Sequence, residues 1–183
     1  MLLDFEINKA VAASAYLISR EGGEQGMFVL IKKLYYADRL ALIKWGRSIT
    51  GDSFASLAKG PIVSRIYDLL KGKGAENDLI EWNDVILRKG NKITLRKRAY
   101  TGALSQRELE ALDEAAETIN GIKGSIADWL HKNCPEWQDP HGSSKPIDPS
   151  QILRVAKKSE EHIRRVEEDN EEIRFMNYLL GTR

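Results

Sequence analysis

The stretch FVLIKKLYYADRLALIKWGRSITGDSFASLAKGPIVSRIYDLL, residues 28–70, decides how the chain is read. It opens inside a long apolar helix expected from about Gly26 to Trp45. On a wheel of about 100° per residue, Lys32, Lys33, Arg39 and Lys44 share one side with Val29, Tyr36, Leu40 and Ile43. Met27, Ile31, Leu34, Ala41, Leu42 and Trp45 share the other. Apolar residues on both sides predict a central helix touched from several directions. Asp38 falls in the middle of the apolar face. A bare ionised carboxylate cannot stay in a core; it must be paired, hydrogen-bonded or protonated. Asp38 either organises a binding surface or is an internal pin that fixes the turn after the helix. The habit of aspartate of accepting from nearby backbone N–H groups favours the pin. Arg47, Arg65 and His131 are its candidate partners.

Gly46 ends this helix as a glycine after a last turn does. Residues 48–52 read as a turn, and Phe54 to Leu57 as a short apolar segment able to extend. Lys59-Gly60-Pro61 is then expected to open a helix to Leu70, with proline in its first turn. Gly60 alone is no phosphate loop, and no Gly-x-x-x-x-Gly-Lys-Ser/Thr run occurs.

Upstream, apolar residues at helical spacing predict a helix over residues 7–19, with Asn8 as a candidate cap and Gly22-Gly23 after it. Downstream, residues 84–88 and 92–96 alternate in polarity about Lys89-Gly90-Asn91, a β-hairpin pattern. It carries Arg88, Lys89, Lys92, Arg96, Lys97 and Arg98. Such a cluster serves either as a nucleic-acid patch or as a charged edge that blocks sheet-to-sheet pairing. A formal net charge of +1 favours the second. Ser105 and Glu108 form a capping box for a helix ending at Asn120-Gly121, and Ser125 to Asp128 resembles another box before Trp129, Leu130 and His131. A Pro-, Gly- and Ser-rich connector covers 139–150.

The last helical stretch runs from near Pro149 to Leu180 and is almost all charge between Lys157 and Arg174. Its thin seam is Ile152, Val155, Ile163, Val166, Ile173, Met176 and Leu180. So narrow a stripe suits a coiled-coil-like contact or a partner protein. It equally suits packing back on the chain's own domain.

The 183 residues suffice for one domain with a real core, or a domain plus an arm. With 42% hydrophobic and 30% charged residues the mixture is that of a soluble domain. The single cysteine, Cys134, excludes an intrachain disulfide. No signal-peptide pattern and no membrane-spanning apolar run are present, so a cytoplasmic protein is expected. His131, Cys134 and His141 lack the spacing and number of a zinc site. A Cys–His nucleophile has no supporting context. No cofactor is expected.

The order of pieces resembles the Panacea domain, the SocA-like antitoxin family. The resemblance rests on Lys33-Leu34-Tyr35-Tyr36-Ala37-Asp38, then Gly46-Arg47-Ser48-Ile49-Thr50-Gly51-Asp52. Lys59-Gly60-Pro61-Ile62-Val63-Ser64, Tyr67-Asp68-Leu69-Leu70, Leu130-His131 and Trp137 follow. Ser48 stands where the family often has proline. The likeness covers roughly residues 5–156. It implies a non-catalytic bacterial, phage or prophage antitoxin, encoded beside a toxin and neutralising it by binding. One branch of the family delivers its toxin to a Clp-type protease.

The expected fold is mainly α within the α+β class: a compact helical domain with one small β-hairpin and a C-terminal charged helix. The expected divisions are a Panacea-like domain over 1–138, a connector and helix start over 139–156, and a charged arm over 157–183. Candidate partner contacts are Tyr36, Arg39, Arg47 and Lys59, with Ile163, Val166, Ile173 and Met176 on the arm. Asp38, Gly46, Gly60, Pro61, Tyr67 and His131 are read as structural. The expected partner is a cognate toxin, with a Clp-type protease and self-association through the last helix as further options. A nucleic-acid regulator using the hairpin is the rival reading, and an enzyme pairing His131 with Asp38 a more distant one.

Overall fold

A computed structural model describes residues 1–98 and 100–181; Ala99 and the last two residues of the expected arm, Thr182 and Arg183, lie outside them. The elements in order are α1 (Ile7–Arg20), β1 (Glu24–Gly26), α2 (Met27–Trp45), β2 (Phe54–Leu57), β3 (Gly60–Val63), α3 (Ser64–Leu70) and α4 (Glu76–Val85). Then follow β4 (Ile86–Lys89), β5 (Lys92–Leu95), α5 (Gln106–Asn120), α6 (Ile126–Asn133), β6 (Lys145–Ile147), α7 (Pro149–Val155) and α8 (Glu160–Leu179). The fold is mainly helical with small antiparallel sheets, as the α+β expectation had it.

Helix α2 is the axis of the fold. It touches α1, α3, α5, α7, β1 and β3, which is why its apolar residues are spread around the wheel. Ten of its residues are buried, among them Leu30, Leu34, Tyr35, Ala41 and Leu42. Its amphipathic neighbours α1 and α5 present alanine-rich faces, including Ala10, Ala13, Ala111 and Ala115, and small side chains let the helices approach closely. Both ends of α5 are as the sequence has them: the Ser105–Glu108 capping box closes its start, and Gly121 follows its end.

The single expected hairpin is the β4–β5 pair, joined by β1 into a sheet of order β1-β5-β4. Asp84 and Val85, expected as its first residues, end α4 instead. A second sheet has the order β3-β2-β6, with Phe54 opposite both Val63 and Ile147. The helix expected from Lys59 begins only at Ser64, because residues 60–63 pair with β2 as an edge strand. An edge strand tolerates the missing N–H of Pro61. Strand β6 falls inside the stretch read as a connector.

The last helical stretch is two helices. Lys157, at φ 61°, breaks it, and the Ser159 hydroxyl caps α8 by accepting from His162 N–H. Glu160 consequently pairs with Arg154 at 2.9 Å rather than with Arg164. The Glu161–Arg165 pair forms.

Candidate partner-binding surface and the polar groups beneath it

The turn after α2 is built around Asp38, which is fully buried. Its Oδ1 accepts from the backbone N–H of Ile49 at 2.8 Å and of Thr50 at 3.0 Å, and the Thr50 hydroxyl donates to Oδ2. Backbone and Thr50 therefore take the place expected for Arg47, Arg65 or His131. Asp52, two residues after Thr50, repeats the device. Its carboxylate accepts from the N–H groups of Arg65 and Ile66, each at 2.8 Å, tying the turn to α3. Burial lifts the Asp38 carboxyl to about 7 and that of Asp52 to about 6, against the downward pull of their hydrogen bonds.

Two glycines permit this path. Gly46 sits at φ 77°, where its N–H closes α2 onto Leu42, and a Cβ there would lie 2.9 Å from Val166 Cγ2. Gly51 lies at φ 67°, and a Cβ there would fall 1.7 Å from the Asp4 carbonyl oxygen. The chain ahead of α1 is thereby laid across the turn, with Glu6 N–H donating to Thr50 O at 2.9 Å.

Of the three lysines of α2 only Lys44 is solvated. Lys32 and Lys33 are both buried. Lys32 Nζ donates to the Pro61 carbonyl at 2.8 Å, and burial lowers its amine to about 7. Lys33 Nζ reaches Glu21 at 2.6 Å and Gln25 at 3.3 Å. Their long stems cross apolar surroundings, Lys32 to a backbone carbonyl inside the fold and Lys33 to the buried Gln25 and the exposed Glu21.

Glu136 is the buried group that the sequence reading passed over. Its side chain is wholly covered and receives the Tyr35 hydroxyl, Arg39 Nε at 2.5 Å and Arg39 Nη2 at 3.3 Å. The signal available was an acidic residue between Pro135 and Trp137, with an arginine one turn after Tyr35 on α2. Cys134 beside it is buried, and its thiol is pushed up to about 12 by burial. Trp137 Nε1 donates to the Leu57 carbonyl at 2.9 Å, and the His131 ring stacks on Trp137 with centroids 3.6 Å apart.

Tyr36 is half-buried, edge-to-face against Trp129 at 5.6 Å. Arg39 is held by Glu136. Arg47 is half-buried and lines a cleft of about 230 Å³ with Trp45, Val166 and Ile173. Lys59 is exposed at the β2–β3 turn, on a different cleft of about 280 Å³ with Phe28, Ile31, Lys32 and Tyr67. Ile163 and Val166 are buried, Ile173 is half-buried and Met176 exposed. Gly60 lies against Leu130 and the Lys32 amine, and Tyr67 lies under Lys71 Nζ at 4.1 Å.

Asp38 is sealed beneath the turn with both carboxylate oxygens occupied, so no acid–base pair with His131 forms there. Among the described residues no group of three or more His, Cys, Asp or Glu side chains could hold a metal ion. None of the described helices is long and apolar enough to cross a membrane. On the basic hairpin, Lys92 pairs with Glu24 at 2.5 Å and Lys97 with Asp84 at 2.6 Å. Arg88 donates to the Gly90 and Leu70 carbonyls.

A family model described as "Antitoxin SocA-like, Panacea domain" matches residues 30–138. The chain belongs to the Panacea-domain family. No curated protein and no solved structure matches it. The Panacea span runs from Leu30 in α2 through the end of α6 to Gln138, narrower than residues 5–156. Both buried carboxylate pins, the Lys32–Pro61 contact and Glu136 with its partners lie within it. Helices α1, α7 and α8, and strand β6, flank the Panacea span but pack into the same fold.

Proposed function

We propose that the protein is a non-catalytic antitoxin that neutralises a cognate protein toxin by binding it directly in the cytoplasm. The observation that carries this reading is the match of residues 30–138 to an antitoxin-like domain. It is supported by how the polar groups of that span are used. Asp38, Asp52, Lys32 and Glu136 are each spent on a backbone or side-chain partner within the fold. Such an arrangement stiffens a scaffold rather than presenting a reactive group to a substrate.

A scaffold shared by antitoxins with different toxins is free to vary at its contact surface. The exposed residues around the two clefts and along α8 are therefore better candidates for contacts than the buried motif. Delivery of the bound toxin to a Clp-type protease is a variant of this reading. It predicts that toxin turnover requires both the protease and this protein. Nucleic-acid binding by the hairpin is the weaker alternative, since Lys92 and Lys97 already face acidic neighbours.

The test is coexpression with the product of the adjoining reading frame. Growth arrest by that product alone, relieved by this protein, is expected. A product harmless on its own removes the main support.

A further inference from the structure

Helix α8 is inverted over its last two turns. At about 100° per residue, Ile163, Val166, Asn170 and Asn177 share one side of the helix. That side faces the body: Ile163 and Val166 are buried, Asn170 Nδ2 donates to the Gly46 carbonyl at 2.9 Å, and Asn177 Nδ2 donates to Asp4 at 3.1 Å. The outward half carries Phe175, Met176 and Leu179, exposed by 60%, 48% and 60%, with Tyr178 on its flank and Leu180 just after the helix, each exposed by 68%. So the inward side, the half-buried Ile173 apart, turns to asparagine just where the outward side becomes apolar. A helix that only closes its own domain has the reverse arrangement. Five of the nine exposed large hydrophobic residues of the described chain lie within these six positions. A cluster of that kind marks an interaction site.

The turns just before it carry Glu168, Asp169, Glu171 and Glu172, all exposed; Glu168 pairs with Arg164 at 3.9 Å, and Asp169 and Glu172 also rim the cleft beside Arg47. The outward face therefore passes from acidic to apolar within three turns. We propose that this end of α8 docks in an apolar groove on a partner protein whose groove is flanked by a basic surface. The inference rests on the antitoxin reading and assigns the toxin's contact to this helix. The charge argues against a second copy as the occupant. Parallel pairing sets one acidic run against the other. Antiparallel pairing limited to two turns falls well short of the roughly 1,200 Å² of a stable interface.

The experiment uses the full chain and the purified product of the adjoining reading frame, with affinity and association rate measured at low and high salt. Phe175→Glu/Leu179→Glu is expected to weaken binding by about 30-fold or more, the size of losing a central anchor. Ile80→Glu, an equal insult at another exposed apolar site, is expected to bind as the unmodified protein does. Neutralising the four acids to amides is expected to slow association by roughly tenfold at low salt and to flatten its salt dependence. Thermal unfolding of every variant is compared first, and Phe175→Ser/Leu179→Ser replaces any glutamate variant that does not fold.

Unchanged binding by the Phe175/Leu179 variants overturns this inference and leaves the antitoxin reading standing. A dimer that those variants dissolve while toxin binding persists makes a second copy the occupant and also overturns it. Failure of the unmodified protein to bind a product that is toxic on its own overturns both.

Discussion

Removing the Asp38 carboxylate strands three donors at once: two backbone N–H groups and the Thr50 hydroxyl. Each buried donor left without an acceptor costs about 1–3 kcal/mol. Asp38→Ala is therefore expected to lose roughly 3–5 kcal/mol of stability in urea unfolding. A stable, fully folded Asp38→Ala protein that has lost neutralisation contradicts the role as a pin. Removing Glu136 leaves Arg39 buried without its anion, and breaking a buried pair costs about 3–5 kcal/mol; Glu136→Ala should show this as a lower unfolding midpoint. The buried groups also fix a pH dependence. Asp38 and Asp52 titrate higher in the folded chain than the ordinary 3.8, at about 7 and about 6. The unfolded chain then releases these protons first, so their contribution to stability falls as pH rises from about 4 to 7. Lys32 titrates lower than the ordinary 10.5, at about 7, so its contribution rises with pH from about 7 to 10. The stability difference between the protein and Asp38→Asn should shrink across the first window, and Lys32→Met should flatten the rise in the second; urea unfolding at several pH values reads both. Asp38 stood out in the sequence because a carboxylate interrupts an apolar face. Lys32 and Lys33 did not, because a lysine stem can cross the core to an acceptor that no periodicity reveals.

Helix α8 carries two jobs along its length. Its first half covers the end of α2: Val166 lies over Gly46, and Asn170 takes the Gly46 carbonyl that α2 leaves unpaired. Removing the whole helix uncovers the end of α2 and the part of α7 it packs on, and also removes the buried Ile163 and Val166. At about 1.5–3 kcal/mol for each buried aliphatic side chain, deletion from residue 160 should cost several kcal/mol. Truncation after Arg174 removes mostly exposed side chains and should cost about 1 kcal/mol or less. Comparing the two truncations by thermal unfolding checks that division. Gly46→Ala should cost about 1–3 kcal/mol through the positive φ and the contact with Val166, and hydrogen exchange should show the first turns of α8 loosened. The narrow seam of α8 was legible, and the structure divides it: Ile163 and Val166 pack back on the chain's own domain, whereas Met176 is exposed. Strand β3 was misread because Gly-Pro before an apolar run signals a helix start as well as an edge strand. Its pairing with β2 and its cover by Lys32 are long-range facts. Helix α4 gave little periodic signal because Trp82 is its only buried residue.

The folded unit is larger than its family signature. The Panacea span stops at residue 138, but the core continues through α1, with Ala10, Ala13, Leu17 and Ile18 buried, and α7, with Ile152 and Leu153 buried. Strand β6 supplies one edge of the second sheet. A fragment of residues 30–138 is therefore expected to lack cooperative unfolding and dispersed NMR signals, whereas the full chain shows both. Helices α1, α2, α5 and α6, the Ser105–Glu108 capping box and the hairpin were legible because each is set by local spacing. The second sheet was not, because β2, β3 and β6 are short and one of them lies far along the chain. On the proposed function, the molecule acts by stoichiometric occupation of a toxin, with no chemical step of its own. The most direct measurement is a titration of the purified toxin's activity with this protein, read at several times. Activity should fall in proportion to added protein, reach its floor near equivalence, and stay unchanged with time. Progressive inactivation by about a hundredth of an equivalent, the mark of turnover, would contradict the account.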